Sequence, residues 1–332
     1  MRVQGGAASV AACVLIGGAA GCAGVQSALD PGGDEAATVA RLFWTMTAGA
    51  LVIWAGVVAL GWYYGRPHEE APSPRRDRWL ILGSGVVFPV TVLTALLAYG
   101  LWMLPPLVSR APEGSLTVEV VGEQWWWRVR YLDATGAPLV ELANEIRLPV
   151  GEPVQFRLSS DNVIHSFWIP SLGGKMDMIP GRTTYLTLHP TRVGTFAGAC
   201  AEYCGTAHGY MRFMVDVMDP AAFDGWLAGQ RQVAVEPQTP ETQRGRDVLR
   251  RAGCGACHTV RGTSADGLIG PDLTHVGSRM SLGAAGLSTD AATLERWVSA
   301  PERLKPGVHM PAFQMMGSDD IRALAAYLER LE

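Results

Sequence analysis

The sequence is short of charge imbalance and of cysteine, and it lacks charge altogether in two long stretches. A net charge of −4 over 332 residues offers no basic excess for a nucleic-acid backbone, so no nucleic-acid partner is expected. Six cysteines in so long a chain are too sparse for a disulfide scaffold, which packs them densely into a much shorter sequence. No charged residue lies between Arg41 and Arg66, nor from Trp79 to Ser109. Each run exceeds the roughly 20 apolar residues that cross a hydrocarbon core as a helix. Buried helices of soluble proteins rarely stay uncharged for so long, so two membrane spans are expected and membrane lipid is a partner.

What is present divides the chain into segments. Arg2, the apolar run Val10 to Ile16 and the small residues Ala19-Ala20-Gly21 before Cys22 read as a targeting segment over 1–22. Small residues before a cysteine resemble a bacterial lipoprotein cleavage site, and ordinary secretory cleavage nearby stands beside that reading. A two-helix hairpin follows over 39–104. Its connecting loop carries Arg66, Arg75, Arg76 and Arg78, whereas Asp30, Asp34 and Glu35 precede the first span. The positive-inside bias puts the arginine loop in the cytoplasm and everything after residue 105 on the outer face of a bacterial inner membrane.

From 112 to 220 the pattern changes to short alternating runs such as Val154-Gln155-Phe156-Arg157-Leu158, bounded by Gly, Pro and Asp. That predicts an all-β Greek-key domain of ordinary size. Residues 221–241, with Pro237 and Pro240, read as a linker. The remainder, 242–332, is helical at both ends. Ser318 is the expected N-cap of a last helix whose buried face is Ile321, Leu324, Ala325 and Leu328.

The densest chemistry lies in Cys200-Ala-Glu202-Tyr-Cys204-Gly-Thr-Ala-His208-Gly-Tyr-Met211, with a further imidazole at His165. Thiolates, imidazoles and a thioether select copper or zinc over magnesium or calcium. A disulfide between Cys200 and Cys204 would leave His208 and Met211 without roles. Zinc gains little from a thioether, and a single blue copper has no use for the second cysteine. Two coppers bridged by both sulfurs, with one histidine each, use the whole set.

This stretch resembles the CuA domain of cytochrome c oxidase subunit II, whose pattern C-x-E-x-C-x-x-x-H-x-x-M it matches without a gap. The resemblance implies a cupredoxin-like fold in which Cys200 and Cys204 bridge two coppers while His165 and His208 each bind one. It makes Met211 and the Glu202 carbonyl weak ligands, and lets the Glu202 side chain bind a magnesium shared with subunit I. Lys175-Met-Asp177-Met-Ile-Pro180-Gly181-Arg182 matches a further family signature. Gly122-Glu123-Gln124-Trp125-Trp126-Trp127 resembles the aromatic segment whose first tryptophan takes in electrons, here Trp125, while Trp127 is read as packing beneath the barrel. Two positions depart from the family: Glu123 stands where histidine is common and Asn162 where aspartate is. No residue matches the acidic entrance to a proton channel, Glu69, Glu70 and Asp77 being the nearby acids.

Cys254-Gly-Ala-Cys257-His258 is the c-type haem attachment pattern, in which two thiols bond to the haem and the adjacent histidine ligates iron. Met310 is the expected second axial ligand, with Met280, Met315 and Met316 as rivals. Gly270-Pro271-Asp272-Leu273 resembles the loop that follows the motif in small cytochromes c, and Gly245 and Tyr327 lie where the first and last helices of that all-α fold cross. The resemblances together imply the subunit through which electrons enter a terminal oxidase. A cytochrome c donor, subunit I and subunit III would be its partners, and oxygen reduction would take place elsewhere because this chain has too few membrane histidines. The corresponding subunit of a CuA-containing nitric oxide reductase, or a membrane-tethered copper-delivery protein, are the alternatives.

Overall fold

The computed structural model describes residues 23–66, 73–284 and 286–332. The expected targeting segment with Cys22, and the acids Glu69 and Glu70, lie outside them. The chain divides into a helical unit, Thr38–Ser109, and a larger unit made of the residues through Ala37 together with Arg110–Glu332.

Helix α1 (Asp34–Tyr64) opens with Asp34 and Glu35, which suit the positive end of a helix dipole. Helix α2 (Pro74–Val108) starts on a proline, which needs no N–H partner in a first turn, and is interrupted by a π-helical turn at Gly83–Val87. Both run beyond the expected 39–104. The most apolar stretch of each is wholly unburied by protein, and side chains such as Trp54 and Trp102 project outward. Apolar helices of this length whose most apolar stretch is uncovered by the described residues have lipid as their solvent.

The β-domain holds ten strands in two five-stranded sheets. The first pairs β3 (Pro138–Ala143), β2 (Trp126–Leu132), β1 (Leu116–Glu123), β5 (Val154–Ser160) and β8 (Thr184–Leu188) in that order. The second pairs β4 (Glu145–Pro149), β10 (Arg212–Met218), β9 (Gly194–Cys200), β6 (His165–Trp168) and β7 (Met176–Met178). Pairing is parallel between β1 and β5 and between β4 and β10, a departure from an all-antiparallel sandwich, and antiparallel elsewhere. Alternation along β1 buries Val118 and Val120 and turns Thr117 and Glu119 outward; along β10 it buries Phe213, Val215 and Val217. Each fully buried aromatic or branched side chain contributes about 1.5–3 kcal/mol, and the core they share runs from Phe156 to Phe167 to Phe213. Residues 25–36 lie along this domain: Val25 O accepts from Ala197 N, Gly32 N donates to Ser171 O, and Glu35 accepts from His189 N.

The stretch expected as a linker is partly structured. Helix α3 (Pro220–Gln230) sets Phe223 and Trp226 against Tyr131 of the β-domain, and Ala234 N bonds to Arg261 O. Pro237 and Pro240 signal a break only after that helix has ended.

The C-terminal domain is built on α4 (Pro240–Arg251), α5 (Ala291–Ser299), the single turn α6 (Pro301–Leu304) and α7 (Ser318–Glu329). A capping box between Thr239 and Thr242 starts α4. Gly317, not Ser318, occupies the N-cap position of α7, and Ser318 is its first residue, so the start lies one position earlier than the serine implied. A Cβ at Gly245 would stand 2.0 Å from Ala323 O and 2.6 Å from Tyr327 Cβ, so α4 and α7 cross at the expected glycine with their backbones in contact.

Candidate metal and haem sites

Five sulfur and nitrogen donors from four local structures meet at one end of the sandwich. β9 ends on Cys200, the following turn carries Cys204, and the 3₁₀ turn His208–Tyr210 delivers His208 and Met211; His165 comes from the first position of β6. The two sulfurs lie 3.9 Å apart and unbonded. Cys200 Sγ is 3.8 Å from His165 Nδ1 and 3.1 Å from Glu202 O, while Cys204 Sγ is 3.5 Å from His208 Nδ1 and 3.8 Å from Met211 Sδ. Each sulfur therefore faces one imidazole and one weak donor. His165, Cys200 and Cys204 form a cluster able to hold a metal, and Met211 is fully buried beside it. The soft, paired donor set fits copper.

The surroundings hold those donors in place. His165 Nε2 meets Asn162 Oδ1 at 3.2 Å, which leaves Nδ1 directed at the sulfurs. A Cβ on Gly122 would fall 2.7 Å from His165 Cδ2, so only glycine lets the imidazole lie against β1. Trp127 is fully buried, with its ring 6.1 Å from that of His165 and 5.2 Å from Phe213. The Cys204 carbonyl accepts from both Gln124 Nε2 (2.8 Å) and Trp125 Nε1 (2.9 Å). The hydrogen bond between the two thiols lowers the pKa of Cys200 and raises that of Cys204. Two thiols this close share one proton, which a metal would displace. Glu202 is exposed beside Tyr203, with its side chain free to face outward.

The second constellation sits in the helical domain. Cys254 opens a 3₁₀ turn stabilised by Cys257 N and His258 N, both donating to Cys254 O. His258 Nδ1 lies 2.8 Å from Pro271 O, which fixes the ring and leaves Nε2 as the free ligand atom. Burial lowers the pKa of His258, favouring the neutral imidazole that binds iron. A Cβ on Gly270 would lie 2.5 Å from His258 Cε1, so the Gly270-Pro271 loop is shaped to this ring. Met310 packs on the domain core with Phe313 and Met316, whereas Met315 is 94% exposed and the backbone of Met280 bonds to Glu145. The donor types and their setting fit a covalently attached haem.

Sequence reasoning missed what joins the two sites. Lys305 is 3% exposed, and its Nζ donates to Gly283 O (3.0 Å) and to Trp125 O. Burial pushes its ammonium down to about 7. Arg128 donates to Leu268 O (2.9 Å) and Ile269 O, Met280 N donates to Glu145 (2.8 Å), and Arg212 N donates to Ala284 O. Trp125 itself is buried, its ring 5.9 Å from that of His309. A lysine in a Leu-Lys-Pro-Gly run reads as a surface residue, and no local signal marks it otherwise.

Comparison with known proteins gives the family. Residues 131–218 match the family described as cytochrome c oxidase subunit II, periplasmic domain, and residues 242–332 match cytochrome c. The chain is 31% identical to cytochrome c oxidase subunit 2 of Alkalihalophilus pseudofirmus, over 94% of this chain and 93% of that one. It is 28% identical to the Bacillus subtilis protein of the same name, over 68% and 64%. A crystal structure of the periplasmic domain of subunit II of cytochrome oxidase from Bradyrhizobium japonicum aligns with 38% of this chain and 97% of its own, at 28% identity and a TM-score of 0.34. With both domain matches and a relative aligned nearly end to end, the chain belongs to the cytochrome c oxidase subunit II family and is a membrane-anchored member with a fused cytochrome c domain.

Proposed function

We propose that this chain is the subunit through which electrons enter a terminal respiratory oxidase. Electrons from a cytochrome c would reach a haem of subunit I by way of the cytochrome domain and then the copper domain, for reduction of oxygen to water. Subunit III, subunit I and membrane lipid complete its surroundings. The chain is thus part of an enzyme whose oxygen-reducing site lies in another subunit, and both soluble domains stand on the outer face of a bacterial inner membrane. Arginines at 66, 75, 76 and 78 on one side of the spans support that orientation.

The observation that carries this reading is the symmetric pairing of donors around two unbonded sulfurs 3.9 Å apart. Cys200 and Cys204 would bridge two coppers, with His165 and the Glu202 carbonyl near one sulfur and His208 and Met211 near the other. Cys254 and Cys257 would hold haem c, with His258 and Met310 as the residues that would bind its iron. Copper and haem, when bound, supply reversible one-electron chemistry. The residues of the chain keep the donors fixed so that little rearranges between redox states: Asn162 orients His165, Pro271 orients His258, and the Cys204 carbonyl is tied twice. Trp125 would be the point of electron entry into the copper domain, its indole N–H donating to the Cys204 carbonyl. The outward Glu202 side chain would ligate magnesium at the contact with subunit I. Cys200→Ser tests the assignment: loss of the near-infrared mixed-valence copper absorption with the haem spectrum retained is expected, and unchanged copper absorption overturns it.

A further inference from the structure

Lys305 belongs to the cytochrome domain, in the loop that leads to Met310, yet both acceptors of its Nζ are backbone carbonyls. One, Gly283 O, is in its own domain; the other, Trp125 O, is in the copper domain. Lysine is almost never enclosed unless something demands it, because its charge loses water and its long side chain loses freedom. A domain swinging on a tether would keep such a side chain solvated, and domain motion is the default where an interface is small and polar. Here the enclosure is nearly complete. The same boundary buries other charged side chains on backbone partners: Arg128 on the carbonyls of Leu268 and Ile269, and Glu145 on the Met280 N–H. Separation of the domains would break each of these cross-boundary bonds, leaving Lys305 only Gly283 O and Arg128 only its carboxylates Glu123 and Glu141.

The Lys305 tie is to the backbone of Trp125, whose ring lies between two loops. The Trp125 indole donates to the Cys204 carbonyl on one side. On the other it faces His309, and a Cβ at Gly307 would lie 3.0 Å from its Cζ3. The Lys305–Met310 loop thus lies on one side of the indole and the Cys204 loop on the other. We propose that Lys305 is a positioning residue that pins Trp125 between the Met310 loop and the Cys204 loop, making the cytochrome domain a permanently docked internal donor. Trp125 then serves this domain, and an external donor meets the cytochrome domain instead. The redox part of this rests on the function proposed above; the pin itself does not.

Hydrogen exchange on the purified full chain in its oxidase complex reads the pin without reference to activity. Lys305→Met is expected to raise exchange in residues 123–127 and 305–310 while α4, α7 and β6 stay protected and the haem and copper spectra persist. Haem-to-copper transfer after flash reduction is expected to fall by about tenfold or more, as loss of a fixed donor geometry implies. Unchanged exchange and an unchanged rate overturn the pin. Should the variant fail to assemble, the parent decides: a rate independent of viscosity and of salt supports permanent docking, and a rate that falls with added glycerol overturns it. A parent without the near-infrared copper absorption would sink the dicopper function, yet the exchange result would still stand or fall by itself.

Discussion

At the scale of the residue, the site depends on side chains that carry no redox chemistry. Asn162 stands where aspartate is common in the family, and its amide oxygen lies 3.2 Å from His165 Nε2. A neutral amide orients the ring without adding charge, so the substitution preserves the contact and changes the electrostatics. Partners of this kind alter metal affinity by about 10–100-fold when removed. Asn162→Ala should weaken copper retention by that order and shift the copper absorption without abolishing it, which titration with a copper chelator followed by optical spectra would check. An unaltered affinity would mean that the packing of Gly122 and Trp127 against the imidazole orients it sufficiently.

The elements differ in how openly the sequence declared them. The strands were legible because their period-2 pattern follows directly from which face is buried, as in Phe213, Val215 and Val217. The two apolar helices were legible because charge is simply missing. Helix α3 was not, since Pro220 and two glycines, Gly225 and Gly229, weaken its local signal; Phe223 and Trp226 are recruited by Tyr131, a partner distant in sequence. The crossing of α4 and α7 was anticipated at Gly245 and Tyr327. Gly245→Ala would force its Cβ into the Ala323 carbonyl, and overpacking of that kind costs about 1–3 kcal/mol. The cytochrome domain should then unfold at lower denaturant, monitored by loss of the haem Soret band, while the copper absorption is retained. Equal stability would show that α7 can shift to admit a methyl group.

For the whole molecule, the arrangement is a covalent joining of a subunit II periplasmic domain to a cytochrome c domain. Glu123 and Glu141 both pair with Arg128, whose remaining nitrogen reaches the cytochrome domain, so the outer face of the first sheet carries paired charge up to the boundary. The buried Glu145, which accepts from Met280 N, adds a second charged contact, burial raising the pKa of this acid and lowering that of the nearby Arg279. The intact complex should take up oxygen when supplied with reduced external cytochrome c, measured polarographically. Turnover of nitric oxide in place of oxygen would assign the chain to the reductase alternative, and no turnover with ready loss of copper would favour a delivery role.

The sequence by itself determined which donors exist: two cysteines four apart with a histidine and a methionine in register, a haem attachment motif, and two spans free of charge. These are local facts, since spacing within a turn or a period along a strand needs no distant partner. Only the tertiary structure decided how the donors meet and how the sites are joined. His165 reaches Cys200 because β6 pairs with β9, and Lys305 reaches Trp125 because two domains close over it. Burial is a property of the neighbours a residue acquires on folding, so nothing near Lys305 in the chain could announce that its amine would lie at the join between them.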